Sequence, residues 1–421
     1  MDFASGWLDR KALFPEFIQE APQPDTGIII VVPAYNEPGI SALFDSIARC
    51  IKPDCSTEVL IVVNSPPVSR SGPRHFNEAT SSAVRLWKSN NPDCFFRLYE
   101  FTVDTSRFSG WGVGMARKAG MDEAVRRFGR TGRSDGVIAS LDADCTVETN
   151  YLEQLCEEFL KKRKKLACSL YFEHPLSGTG FPDLFSRAVT LYELHMRYYY
   201  QALKYTGFPY AFHTVGSAFA VKALPYIKSG GMNRRQAGED FYFIQKLLPS
   251  GGYFSLNSTT IYPSPRSSER VPFGTGATIA RMAERHSCYL ETYNIKAFEE
   301  LKRLFEMIEI VYQSINRDSS LLYNELPETV RSFVSNEEWR SNVAEISDNT
   351  AGFISFRKRF FSWFNMLRIV RYLNAVHISF CKKVPVAGAA GILLARIGIN
   401  VTSDDPSELL MIYRSMERND Q

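Results

Sequence analysis

Two acids one residue apart, Asp142 and Asp144, close an apolar run, Gly136-Val137-Ile138-Ala139-Ser140-Leu141-Asp142-Ala143-Asp144. The run reads as a buried strand. Residues i and i+2 of a strand face one side, so both carboxylates are expected to project together where the strand ends. Neighbouring carboxylates repel each other and are costly unless positive charge lies between them. A divalent cation holding an anionic substrate answers that need. A surface loop with two solvated acids is the plainer alternative. Arg117 is a third residue of interest, set in Gly112-Val113-Gly114-Met115-Ala116-Arg117-Lys118. Glycines let a backbone approach a ligand closely, and a helix amino terminus favours anions. Arg117 takes the place of the third glycine of a G-x-G-x-x-G run, so no dinucleotide fingerprint is present.

The elements that must position these groups alternate along the chain. After a lead-in over 1–26, β-branched runs at 27–33 and 58–64 and a strand around 94–101 precede the Asp142 strand. Helical spacing fills the intervals at 37–50, 75–90 and 113–128. Near-continuously apolar strands alternating with helices indicate an α/β fold with a mostly parallel sheet covered on both faces. Ligands of such sheets bind outside the carboxyl ends of the strands. Pro33-Ala34-Tyr35-Asn36-Glu37, Asn64 and Asp142-Ala143-Asp144 would share that rim. Beyond it, 183–205 is a long aromatic-rich helical pattern, 213–221 a strand or extended loop, 239–248 a helix and 251–261 a hairpin or paired strands. From about 278 the pattern is mainly helical, and Ser403-Asp404-Asp405-Pro406 is a good helix start. The expected organisation is a lead-in over 1–26, a catalytic body over 27–290 and a helical extension over 291–421.

The order of motifs resembles the GT-A fold glycosyltransferases, in particular family 2 of inverting nucleotide-sugar transferases. The resemblance covers about residues 27–265. It rests on Val32-Pro33-Ala34-Tyr35-Asn36-Glu37, Gly114-Met115-Ala116-Arg117, Asp142-Ala143-Asp144, Val215-Gly216-Ser217-Ala218-Phe219-Ala220-Val221 and Gly238-Glu239-Asp240. It implies transfer of a sugar from a nucleoside diphosphate sugar to an acceptor hydroxyl, helped by Mg²⁺ or Mn²⁺. Pro33, Tyr35, Asn36 and Glu37 would then lie beside the base and ribose, although Asn36 and Glu37 also suit a helix start. Asn64 stands where the family usually has an aspartate touching the base, and an amide can both donate and accept there. Arg117 would lie near the diphosphate or donor sugar; the alternative is a surface arginine. Lys118 departs from the asparagine that often follows.

By the same resemblance Asp144 is the direct metal ligand, and Asp142 contacts the ribose, or the metal through water. A hard cation with oxygen ligands would stabilise the leaving diphosphate. Inverting transfer also needs a base. The matching pair is Glu239-Asp240, with Asp240 as base and Glu239 as an acceptor-binding or supporting group, unless these acids merely begin a helix. Arg266 and Arg270, in a Pro/Gly/Ser loop after the sheet, could close over the diphosphate because guanidinium binds phosphate bidentately. Ordinary surface arginines are the alternative.

Composition limits the other classes. The 421 residues are 45% hydrophobic and 23% charged with a net charge of +3, values of an ordinary globular protein without a large nucleic-acid footprint. Eight cysteines with no C-x-x-C pair favour free thiols in a reducing compartment. The amino terminus lacks a secretory pattern, and the run 384–399 is too short and mild for a membrane span, which gives a cytoplasmic expectation with peripheral membrane contact left open. The aromatic and basic stretch around Phe360-Phe361-Ser362-Trp363-Phe364 reads as packing against the catalytic body or as a membrane-facing surface. The acceptor is undefined: a glycan, a lipid-linked group or a small molecule. The competing readings are a nucleotide-sugar-binding protein without activity and a nucleotidyltransferase. The latter would carry a glycine-rich loop where Pro33–Glu37 stands.

Overall fold

The computed structural model describes residues 2–65, 73–104, 112–162, 164–176, 183–235, 238–266, 275–284, 289–314 and 319–420. β1 (Thr26–Ala34), β2 (Ser56–Asn64), β3 (Phe96–Val103), β4 (Val137–Ser140), β5 (Thr146–Val147), β6 (Ala167–Phe172), β7 (Phe219–Lys222) and β8 (Tyr253–Tyr262) form one sheet. Its order is β3-β2-β1-β4-β7-β6-β8-β5. The pairings β1–β2, β1–β4, β2–β3 and β6–β8 are parallel, while β7 runs antiparallel to β4 and β6, and β5 antiparallel to β8. Every residue of β1 is buried, as its unbroken β-branched run requires of a central strand.

Helices α1 (Ser5–Lys11), α2 (Ser41–Ala48), α3 (Pro73–Asn90), α4 (Val113–Thr131), α5 (Tyr151–Leu155), α6 (Asp183–Tyr205), α7 (Ala223–Lys228) and α8 (Glu239–Leu247) follow in the same chain order. Most of α4 is buried all round, including five charged side chains, and burial of that kind demands partners. Glu123 accepts the backbone N–H groups of Phe17 and Ile18, both at 3.2 Å, and so pins the lead-in. Arg127 is paired with Glu58. Lys118 bonds Asp122 at 2.8 Å, and Tyr226 donates to the same carboxylate at 2.7 Å. The unexpected lysine therefore belongs to a buried ion pair within α4.

By contacts the chain divides into two compact units: Met1–Thr179 with Thr214–Ala277 and Glu417–Gln421, and Gly180–His213 with Thr278–Met416. The second holds α6, most of α9 (Thr275–Glu284), and then α10 (Ile295–Glu306), α11 (Ile308–Gln313), α12 (Ser319–Glu325), α13 (Glu328–Phe333), α14 (Asn336–Asp348), α15 (Phe353–Trp363), α16 (Met366–Ser379), α17 (Val386–Arg396) and most of α18 (Pro406–Arg418). Asp405 caps α18 through the N–H groups of Ser407 and Glu408. Phe360, Phe361 and Phe364 are buried inside this unit with Trp339, Phe305 and Phe208. Tyr198 is buried there too and donates to the Tyr293 carbonyl at 2.7 Å. No described helix is long and apolar enough to cross a membrane.

Three local expectations change. Residues 251–261 form no hairpin: β8 is a single strand that pairs with β6 on one side and β5 on the other. Asn36 does not start a helix. Its φ is 54°, a left-handed conformation that asparagine tolerates, and α2 begins only at Ser41. The Asp142 strand stops at Ser140; Leu141 donates a last bond to the Val31 carbonyl at 3.2 Å, and a turn follows, closed by Cys145 N–H to the Asp142 carbonyl at 3.1 Å. The two acids thus sit on that turn rather than on the strand.

Candidate functional site on the strand rim

Pro33 lies two residues beyond Val31, whose carbonyl takes the last bond from the β4 side. A residue without an N–H fits there, because i and i+2 face the same neighbour and the ladder has ended. The chain then turns through Tyr35 and the left-handed Asn36. Asn36 N–H donates to Asn77 Oδ1 at 3.1 Å, and Glu37 N–H to Thr80 Oγ1 at 2.8 Å. Asn77 Nδ2 also reaches the Asn64 carbonyl at 3.1 Å and Ser65 Oγ at 2.9 Å. One side chain of α3 therefore ties the ends of β1 and β2 together. Asn64 is 3% exposed, and its Oδ1 has no partner among the described residues. A buried acceptor in that state costs free energy until a donor reaches it.

Two arginines organise the acids. Arg117, on the first turns of α4, is buried rather than superficial. Its Nε donates to Ser140 Oγ at 3.0 Å, its Nη2 to Asp142 Oδ1 at 2.7 Å, and its Nη1 to Glu239 Oε1. Ser140 Oγ in turn donates to the Gly216 carbonyl at 2.7 Å. An added Cβ at Gly216 would lie 2.9 Å from both terminal nitrogens of Arg117 and from Asp240 Oδ2. Only glycine lets that loop close over the ion pairs. Arg266, after β8, donates from Nε to Asp144 Oδ2 at 2.8 Å and from Nη2 to Glu37 Oε1. Arg270 lies outside the described residues.

The charge balance is unusual. Burial alone would lower Arg117, but Glu239, Asp142 and Asp240 outweigh it and keep the guanidinium charged. Burial pushes Glu239 up to about 7; Arg117 opposes this, and Asp240 and Asp142 reinforce it. Asp240 is raised as well, chiefly by burial. On the other side burial lifts Asp144 to about 6, with Arg266 opposing and Asp142 and Glu37 adding to the rise. By formal charge five carboxyl groups, Glu37, Asp142, Asp144, Glu239 and Asp240, face the two guanidinium groups of Arg117 and Arg266.

That excess suits a hard divalent cation. Asp142 and Asp144 are 41% and 26% exposed at their side chains, and each keeps one carboxylate oxygen without a partner among the described residues. No cluster of three or more His, Cys, Asp or Glu that could hold a metal occurs among them. A cage made wholly of protein is thus absent there, whereas Mg²⁺ characteristically takes one or two carboxylates and completes its shell with phosphate and water. The oxygen donors present fit that arrangement.

The structure brings Glu37, Arg117, Asp142, Asp144, Glu239, Asp240 and Arg266 into two linked groups, with Asn36 and Asn64 joined through Asn77. Sequence reasoning missed Asn77, Ser140 and the contact role of Gly216. Ser140 and Gly216 stood inside quoted motifs, but nothing in the spacing of Asn77 marked it.

Residues 137–315 match the family described as glycosyl transferase family group 2. The stretch includes Asp142, Asp144, Gly216, Glu239, Asp240 and Arg266, and leaves out Glu37, Asn64 and Arg117. Matches among solved structures include residues 1–349 of TarS from S. aureus in complex with UDP-GlcNAc, at 14% identity and a TM-score of 0.39, covering 93% of this chain and 92% of that one. Another is the mannosyltransferase PcManGT from Pyrobaculum calidifontis in complex with GDP-Man and Mn²⁺, at 17% identity and a TM-score of 0.34, covering 89% and 91%. No curated protein sequence matches the chain significantly. The match makes the middle of the chain, with both acidic pairs, similar to the glycosyl transferases of family group 2.

Proposed function

We propose that this chain is a family 2-like glycosyltransferase that carries out inverting transfer from a nucleoside diphosphate sugar to an acceptor hydroxyl, with Mg²⁺ or Mn²⁺ and with Asp240 as the base. The observation that supports this most is Arg117, which joins Asp142 to Glu239 and thereby couples a donor-side acid to the acceptor-side pair. Transfer needs those two sides a fixed distance apart, since the attacking oxygen must meet the anomeric carbon in line with the leaving group.

Tyr35, Asn36, Glu37 and Asn64 would receive the base and ribose, with Pro33 shaping the turn. Asn64 Oδ1 offers its unused acceptor to a base N–H. Arg266 would turn from Glu37 and Asp144 to the diphosphate, which it can bind through two nitrogens. A divalent ion held by Asp144, with Asp142 beside it, would supply positive charge to the leaving diphosphate. Asp240 takes the proton of the acceptor hydroxyl while that oxygen bonds to the anomeric carbon; the bond to the diphosphate breaks, and its electron pair leaves with the phosphate. The raised basicity of the buried acids makes this proton transfer more favourable than for an ordinary aspartate. Glu239 stays with Arg117 and fixes the start of α8.

Thermal shift with UDP- and GDP-sugars, with and without Mn²⁺, identifies the donor. With that donor, Asp240→Asn should keep the shift and lower transfer by about 10²-fold or more. Wild-type turnover in the variant would place the base elsewhere.

A further inference from the structure

Arg117, Arg266 and Arg235 differ in how their charge is used. Arg117 and Arg266 are each held by two carboxylates. Arg235 has no carboxylate partner among the described residues, although it is fixed in place more firmly than an ordinary surface arginine. Its guanidinium carbon lies 3.7 Å from the centroid of the Tyr242 ring, a close cation–π stack. Tyr242 stands on α8, two residues after Asp240. The backbone of Arg235 is locked as well: its N–H donates to Asn233 Oδ1 at 3.1 Å, and Asn233 Nδ2 donates to the Glu239 carbonyl at 2.9 Å. Its carbonyl is pressed onto the first turn of α4, where an added Cβ at Gly114 would lie 2.2 Å from that oxygen and 3.0 Å from Glu239 Cγ.

The side chains of Arg234 and Arg235 are nevertheless exposed. A stacked guanidinium keeps its in-plane N–H edges free for an oxyanion, and little side-chain entropy is lost because the stack has already fixed the plane. An exposed arginine with no carboxylate partner among the described residues, whose backbone lies against Glu239 next to the proposed base, is suited to a charged group on the incoming acceptor. We propose that the acceptor carries an oxyanion, a phosphate or a carboxylate, near the attacking hydroxyl, and that Arg235 binds it with Arg234 adding charge. The inference rests on the glycosyl-transfer reading for its meaning, since it names the class of acceptor.

The test uses the full chain saturated with UDP or GDP and Mn²⁺, titrated calorimetrically with glucose, glucose 6-phosphate and glucuronate. At least one of the two charged sugars should bind ten times or more tighter than glucose, and the one that does identifies phosphate or carboxylate as the source. Arg235→Gln should abolish the difference while leaving nucleotide affinity within twofold, and Arg235→Lys should restore part of it. Equal binding of all three probes, absence of binding, or a preference that survives Arg235→Gln would overturn the proposal. Failure of the donor reading looks different: neither nucleotide would raise the melting temperature. The three sugars are then titrated into the free protein, where the same preference and its loss in Arg235→Gln remain the criterion.

Discussion

Arg117 and Arg266 each hold two carboxylates, but under opposite conditions of solvation. Arg117 is 2% exposed at its side chain and Arg266 33%. A buried guanidinium cannot exchange a carboxylate for water, so its partners depend on it for their charged state. A half-exposed one can, and its ion pairs contribute little net stability. The first arrangement suits a fixed part of a site. The second suits a group that hands its partners over when an anion arrives.

The comparison can be broken by removing either cation. Arg117→Met should destabilise the protein by about 3–5 kcal/mol in urea denaturation, because Glu239 is left buried and unpaired. A loss under about 1 kcal/mol would mean that the buried acids are neutral and that Arg117 is no keystone. Arg266→Gln should change stability by no more than about 1 kcal/mol, yet weaken nucleoside diphosphate binding by calorimetry about tenfold through loss of a bidentate phosphate contact. Unchanged affinity would remove Arg266 from the donor site. The smallest effect concerns pH. The base works deprotonated, and burial holds the Glu239–Asp240 pair protonated to higher pH than ordinary acids, with Glu239 up to about 7. Transfer should therefore rise with pH, and the acid limb of kcat/KM should lie above the range of an ordinary aspartate. Glu239→Gln leaves Arg117 one carboxylate fewer to balance, so its charge should lower Asp240 further and the limb should move to lower pH.

Much of the framework could be read from the chain. The long helix over 183–205 is α6 to the residue, and β1, β2 and β3 begin or end within two residues of their apolar runs, because continuous β-branched segments have few other ways to be buried. The order of the rim motifs also pointed to the family. What could not be read was who meets whom. Arg117 and Glu239 are 122 residues apart and Arg266 and Glu37 229 apart, and no local periodicity records such pairings. The spacing of Arg117 alone fits a surface arginine as well as a site residue, and only its three hydrogen bonds separate the two. The two acids at 142 and 144 were expected to be aligned by a strand; a turn and two different arginines align them instead. The Asn64 carboxamide was visible as a departure from the family, but its lack of a partner is a property of the packed rim.

The separation of α6 from the other helices of its unit has an evolutionary consequence. It is encoded between β6 and β7, whereas the residues it meets, Thr292 beside His195, Tyr293 beside Tyr198 and Arg414 beside Glu193, are encoded after β8. A single recombination crossover between relatives anywhere from 214 to 277 would part α6 from those residues. Inheritance of a working helical unit thus requires both stretches, 180–213 and 278–416, to travel together, so its variation should be correlated across a gap of more than sixty intervening residues that belong to the sheet.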